Sequence, residues 1–157
     1  MVKIPEKVIT TAIMEVAIAQ YFNYRTNLIV PNISWGLYIH ECDLLIITPS
    51  GYAYEVEIKT NKHDLIRDQQ KHHKHDCRKI KKLYFAIPEC LQNYIDCIPE
   101  KAGIIIVKYN NYKWTCYKIR EAQINYNYKF SDKERFQVAR LGAMRIWDLK
   151  DNLNRRY

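Results

Sequence analysis

Between His40 and Thr60 the chain reads HECDLLIITPSGYAYEVEIKT, and Asp43, Glu57 and Lys59 stand where a strand ordinarily carries Val, Ile or Thr. The order Pro49-Ser50-Gly51 suits a three-residue hairpin loop, with proline opening a type I turn and glycine taking the left-handed position. If Thr48 faces Tyr52, Asp43 lies directly opposite Glu57 and Glu41 opposite Lys59. Opposed residues share a face, with Cβ atoms roughly 4.5–5.5 Å apart. Alternation therefore gathers Glu55, Glu57 and Lys59 on one side and sends Tyr54, Val56 and Ile58 to the other. Like charges opposed across a ladder are destabilising, so the pairing of Asp43 with Glu57 calls for a compensating charge. A divalent cation supplies it, and hard oxygen ligands suit Mg²⁺, with Mn²⁺ as a substitute. Such an ion stabilises negative charge on a phosphodiester and lowers the pKa of a bound water, while Lys59 could position that water and hold the phosphate. The spacing thus points to phosphodiester hydrolysis.

A second reading makes Glu41, Glu55, Glu57 and Lys59 a solvated face of an edge hairpin joined by cross-strand salt bridges. Two features count against it. The opposite faces of CDLLIIT and YEVEIK are rich in aliphatics, as in a central sheet, and a basic segment follows within a few residues.

These residues need a framework to hold them. At 157 residues with 48% hydrophobic content, the chain has the length and core of one domain, spanning residues 1–157. Residues 6–24 read as an amphipathic helix with Val8, Ile9, Ala12, Ile13, Val16, Ala17, Gln20 and Tyr21 on one side and Glu15 at the edge of that stripe. NLIV and ISWGLY read as short extended pieces, KKLYFAIP and GIIIVKY as buried strands, and ECLQNYIDC between them as a short helix. Asn110-Asn111 is a two-residue hairpin signal. From Asp132 to about Leu153 a second long helix is expected, capped by SDKE, with Phe136, Ala139, Ala143 and Trp147 facing inward. The sum is an α/β domain, a central mixed β-sheet flanked by helices.

The five cysteines include no CxxC pair, which speaks against a disulfide framework or a zinc ribbon. No stretch approaches the roughly 18 apolar residues of a membrane span, and the N-terminus is too charged for a signal peptide, so the expectation is a cytoplasmic protein without membrane partners. The formal charge is +8, and residues 59–82 hold nine Lys/Arg against three Asp. That clustering is the footprint of a polyanion-binding face. On a helical wheel Leu65, Ile66, Gln69, His73 and Cys77 gather on one side and Arg67, Lys71, Lys74 and Arg78 on the other. Lys62, Arg67, Lys71, Lys74 and Arg78 are the candidate nucleic-acid contacts, of a kind that binds phosphates without reading bases. His72, His75 and Asp76 have helix-neighbour spacing but no second ligand pair downstream, which argues against zinc. The Tyr and Trp residues at 109–128 suit either base stacking or an aromatic sheet core, and the core is the better fit.

An acidic residue opening one strand, a turn, and Glu-x-Lys ending the next strand before a helix resembles the PD-(D/E)XK nuclease superfamily, here as Asp43 followed by EIK at 57–59. The run EVEIKTNKHDLIRDQQKHHKH is similar to small phage, prophage and MmcB-type DNA-repair members, and the resemblance covers roughly residues 40–88. It implies a restriction-endonuclease-like fold, Asp43 and Glu57 as metal ligands with the Ile58 carbonyl as a third, Lys59 as catalytic lysine, and Glu15 as an added acidic residue from the first helix. Cys42 replaces the proline before the aspartate, and the Gln-x-x-x-Tyr signature of exonuclease-like branches is missing. The implied activity is divalent-metal-dependent hydrolysis of DNA in repair, recombination or phage and mobile-element processing, by a monomer or a homodimer. Two other classes stay open: a non-catalytic nucleic-acid-binding module that retains the fold, and a protein-interaction domain whose basic helix meets an acidic partner.

Overall fold

Short β-branched runs separated by turn residues build the centre of the chain, and helices close both faces. The computed structural model describes residues 8–34, 36, 38–69 and 77–155. In chain order these form α1 (Thr11–Tyr21), β1 (Leu28–Ile33), β2 (Cys42–Ile47), β3 (Ala53–Ile58), α2 (Lys62–Gln69), β4 (Ile80–Pro88), a 3-10 helix (Glu89–Cys97), β5 (Gly103–Asn110), β6 (Lys113–Arg120) and α3 (Asp132–Asn154). The strands make one six-stranded sheet in the order of the chain. The joins β1/β2, β2/β3 and β5/β6 are antiparallel, while β3/β4 and β4/β5 are parallel. Each parallel join needs a crossover; α2 lies in the first and the 3-10 helix in the second. The expected single-domain α/β architecture is what the chain adopts. No helix among the described residues is long and apolar enough to cross a membrane.

One face of the sheet packs under α1, where Met14, Ala17 and Ile18 meet Leu44, Ile46, Val56, Ile58, Tyr84 and Ala86. The other face carries two separate apolar clusters. Leu45, Ile47, Ala53 and Val30 pack with Val138 of α3, and Phe85, Ile87 and Ile104 pack with Leu65 of α2 and Leu91 of the 3-10 helix. Between these clusters lie the buried acids: Glu55 is in register with Leu45 and Leu83, and Glu57 with Phe85. Polar residues thus interrupt an otherwise apolar face where the sheet passes from α3 to α2.

The helices turn differently from the expectation. In α1 the buried side is Met14, Ala17 and Ile18, whereas Val16, like Val8 ahead of the helix, is exposed, and Ala12, Ile13 and Gln20 line an open groove beside Lys113 and Trp114. Both sides of this helix are apolar, so periodicity alone did not decide which one the sheet takes. In α3 the Ser131–Glu134 capping box forms as expected, but the inner side is Val138, Leu141 and Gly142. A Cβ on Gly142 would stand 3.1 Å from Val30, so the missing side chain lets the helix backbone approach β1. Phe136, Ala139, Ala143 and Trp147 face away. The β5–β6 turn is Asn111–Tyr112, one residue later than expected, with both residues at positive φ and Asn110 paired to Lys113. Of ISWGLY, Ile33 closes β1, and Trp35 and Leu37 lie outside the described residues. Of the aromatics at 109–128, Trp114 and Tyr117 are half-buried against the core, and Tyr112 projects into solvent.

Candidate functional site

The hairpin loop fixes the geometry. Gly51 takes φ +88°, its amide donates to Thr48 O at 2.8 Å, and Thr48 N donates to Tyr52 O at 2.9 Å. The ladder then runs Ile47–Ala53, Ile46–Tyr54, Leu45–Glu55 and Leu44–Val56, which carries Asp43 to the position across from Glu57. This is the register expected from the turn. Beyond Leu44–Val56 a side chain replaces the ladder: the Ile58 amide donates to Asp43 Oδ2 at 2.7 Å and fixes that carboxylate against the strand end. The next amide, Lys59 N, donates to Ala86 O at 3.0 Å and ties the same end to β4.

Lys59 does not pair with Glu41, which is exposed ahead of β2. Its Nζ instead lies 2.9 Å from Glu57 Oε2 and 3.1 Å from Asp68 Oδ1, 6.0 Å above the centre of the Phe85 ring. All three side chains are about nine-tenths buried. Asp68 was not singled out in the sequence. The expected inner face of α2 was Leu65, Ile66 and Gln69, but Leu65 and Asp68 point inward and Ile66 is partly exposed. The available signal was the i, i+3 spacing of Asp68 from Leu65, which puts an acid beside the residue most certain to be buried.

Charge here is unbalanced. Asp43, Glu57 and Asp68 all feel the Lys59 ammonium, and three carboxylates against one ammonium leave a formal charge of −2. Burial is the main force pushing the Glu57 pKa up to about 7; Lys59 opposes it and Asp43 adds to it. Burial likewise raises Asp43, against the stabilising Ile58 amide and Lys59. For Lys59 burial works against the charge, but the carboxylates of Glu57 and Asp68 outweigh it and leave the pKa raised. A lysine with two anionic neighbours keeps its proton at neutral pH.

Glu15 sits on α1, half-buried, with Oε1 3.4 Å from Asn32 Nδ2. Burial raises its pKa, Asn32 lowers it, and the charge of Asp43 raises it further, so Glu15 lies within electrostatic reach of the strand-end cluster. The β1–β2 register puts Asn32 across from Asp43, and Arg145 of α3 donates to the Asn32 carbonyl at 2.7 Å. Glu55 is neutralised separately: fully buried, it pairs with His40 at 2.7 Å. Bonds to Cys77 and Glu55 hold His40 protonated, with a pKa raised to about 10.

Of the basic candidates, Lys62 and Arg67 stand on α2 with Asp68, whereas Arg78 precedes β4 at the Ala53 end of β3, away from the strand end that carries Lys59. Lys62 rests 4.4 Å over the Tyr94 ring, Arg67 is exposed and paired to Asp64 at 2.9 Å, and Arg78 is exposed. Lys71 and Lys74, with His72, His73, His75 and Asp76, lie outside the described residues. Among the described residues no group of three or more His, Cys, Asp or Glu side chains is arranged to hold a metal ion.

No protein-family model matches the chain, and no curated protein does. Among solved structures, a protein of unknown function from Silicibacter pomeroyi is similar, with a TM-score of 0.63 and 12% identity over 96% of this chain and 94% of that one. At that identity the likeness is one of fold.

Proposed function

We propose that this chain is a divalent-metal-dependent deoxyribonuclease of the PD-(D/E)XK type, with a restriction-endonuclease-like fold, working in the cytoplasm in DNA repair, recombination or phage and mobile-element DNA processing. The observation that carries this reading is the Lys59 ammonium, held beside Asp43 and Glu57 at one strand end in a cluster with a formal charge of −2. The donor set fits Mg²⁺ or Mn²⁺: two oxygen ligands from the protein are what Mg²⁺ commonly takes, and a dication would offset both the burial that chiefly raises the two carboxylates and the smaller repulsion from neighbouring acids. Asp43 and Glu57 would hold the ion, with the Ile58 carbonyl as third ligand. A divalent cation there supplies Lewis acidity, drawing charge from the phosphodiester and making water more acidic.

The remaining work falls to side chains. The Ile58 amide keeps Asp43 oriented. Asp68 keeps Lys59 from collapsing onto Glu57 alone. The Lys59 ammonium donates to a phosphoryl oxygen and neutralises charge that grows in the transition state. Glu15, through Asn32, extends the negative field toward α1. Lys62, Arg67 and Arg78 supply sequence-independent affinity for the DNA backbone.

A second reading, a nucleic-acid-binding module without catalysis, draws on the same Lys59–Asp68 contact, since an ammonium shared by two carboxylates can serve as a structural ion pair. The two are separated by cleavage assays over duplex, single-stranded, flap and branched DNA in Mg²⁺ or Mn²⁺. Lys59→Ala is expected to lower cleavage by about 100-fold or more while DNA binding in Ca²⁺ stays within a few-fold. Asp43→Asn is expected to weaken Mn²⁺ binding in calorimetry. Wild-type cleavage by Lys59→Ala, or unchanged metal affinity in Asp43→Asn, would overturn the nuclease reading; DNA binding unaffected by chelator, without cleavage, would establish the module.

A further inference from the structure

The apolar stripe of α3 that sequence periodicity assigns to the interior lies on the outside. Phe136 is 70% exposed, Ile146 54%, Trp147 66%, Leu149 63% and Leu153 56%, and from Ile146 onward every described residue of the helix is exposed. The sheet takes the opposite side through Val138, and the grip ends near Arg145, which bonds the Asn32 carbonyl. The outward residues Phe136, Ala139, Ala143, Ile146, Lys150 and Leu153 follow alternating steps of three and four, which is the a/d seam of a coiled coil. Over 23 residues the helix is about 34 Å long, enough for such a seam to hold a partner.

We infer that α3 is a self-association surface, and that two copies of this chain dimerise by packing their α3 helices antiparallel about a two-fold axis between Ala143 and Ile146. The sequence of the seam is complementary to its own reverse. In that register Phe136 meets Leu153 of the second copy, Ala143 meets Ile146, and Ala139 meets Lys150, so at the two inner positions each small residue faces a long one, as an isologous interface requires. Lys150 suits its place: the ammonium lies 5.2 Å over the Trp147 ring of its own helix, which leaves the aliphatic stem to cover alanine. Two aromatics and three aliphatics at these exposures present on the order of 600 Å² of apolar surface per copy, at the upper end of what one monomer ordinarily leaves uncovered. With the polar rim, the area approaches the roughly 800 Å² per partner of a standard stable interface. A second copy is the occupant because the seam matches itself in register, residue size and area.

Sedimentation of the whole chain across a concentration series tests this. A monomer–dimer equilibrium is expected, and Ala143→Arg, an exposed position given a good helix former, should raise the dissociation constant by about 30-fold or more with an unchanged circular dichroism spectrum. The register is read by a charge pair: Phe136→Lys and Leu153→Asp should each weaken the dimer, and the two together in one chain should recover part of the loss, because they face each other only across the antiparallel interface. A monomer at every concentration, a dimer indifferent to Ala143→Arg, or a double variant weaker than either single one would overturn the inference.

Discussion

Asp68 reaches the cluster from α2, and its weight can be worked from its contact with Lys59. Asp68→Asn keeps the shape and one oxygen acceptor and removes the charge. A hydrogen bond to a charged group contributes about 1.5–3 kcal/mol and a neutral one about 0.5–1.5 kcal/mol, so the 3.1 Å contact should lose about 1–2 kcal/mol. Part returns, because the Asp68 charge also disfavours ionisation of Asp43. The net cost should be about 1 kcal/mol, and burial of both side chains leaves little solvent to screen it. Lys59→Met behaves differently, since it leaves Glu57 and Asp68 buried without their cation, a loss of about 3–5 kcal/mol. In the double variant the Asn substitution no longer removes a favourable contact; it relieves repulsion. Urea unfolding of the four proteins should therefore give a coupling of about 2 kcal/mol between the two positions. Additivity within about 0.5 kcal/mol would show that the Lys59–Asp68 contact does not hold the ammonium in solution. Because this cycle reads stability alone, its outcome stands apart from the outcome of the cleavage assays.

Replacing Lys62, Arg67 and Arg78 together by Gln should weaken binding about equally for unrelated DNA sequences and reduce the log–log salt slope by up to about 2.7; an unchanged slope would put the nucleic acid elsewhere. At Glu134 burial would raise the pKa, but Lys79 at 2.6 Å, the Ser131 amide and Tyr128 hold it down to about 2, from an ordinary 4.5. A depressed folded pKa gives stability that is fully present above 4.5 and lost as pH falls toward 2. Glu134→Gln should thus cost about 1–2 kcal/mol at pH 7 and progressively less between pH 5 and pH 3, where chemical denaturation at each pH would show the two proteins converge. An equal cost at both ends of that range would assign the contribution to shape instead of charge.

What could be read from the chain follows the range of the forces involved. The hairpin register was legible because Pro49-Ser50-Gly51 dictates its turn locally and a strand has only two faces, so one fixed pair settles every other. Asp43, Glu57 and Lys59 were therefore brought to one strand end as expected. The direction taken by the Lys59 side chain was not legible, since it depends on where the crossover returns α2, and nothing near Lys59 distinguishes Glu41 from Asp68 as its partner. Helix faces failed for a related reason. α1 and α3 each carry apolar residues on two sides, and a periodicity of 3.6 finds a stripe without saying what covers it. In α3 the deciding residue is Gly142, whose lack of a side chain lets β1 come close and outweighs the larger aromatic stripe opposite. That stripe still has the pattern of a buried surface. A seam of Phe, Ala, Ile and Leu at heptad spacing is costly to leave in water at about 25 cal/mol per Å², and the sheet does not cover it. On the proposed pairing of two α3 helices, the stripe that periodicity assigns to the interior of one chain would lie in the interior of two.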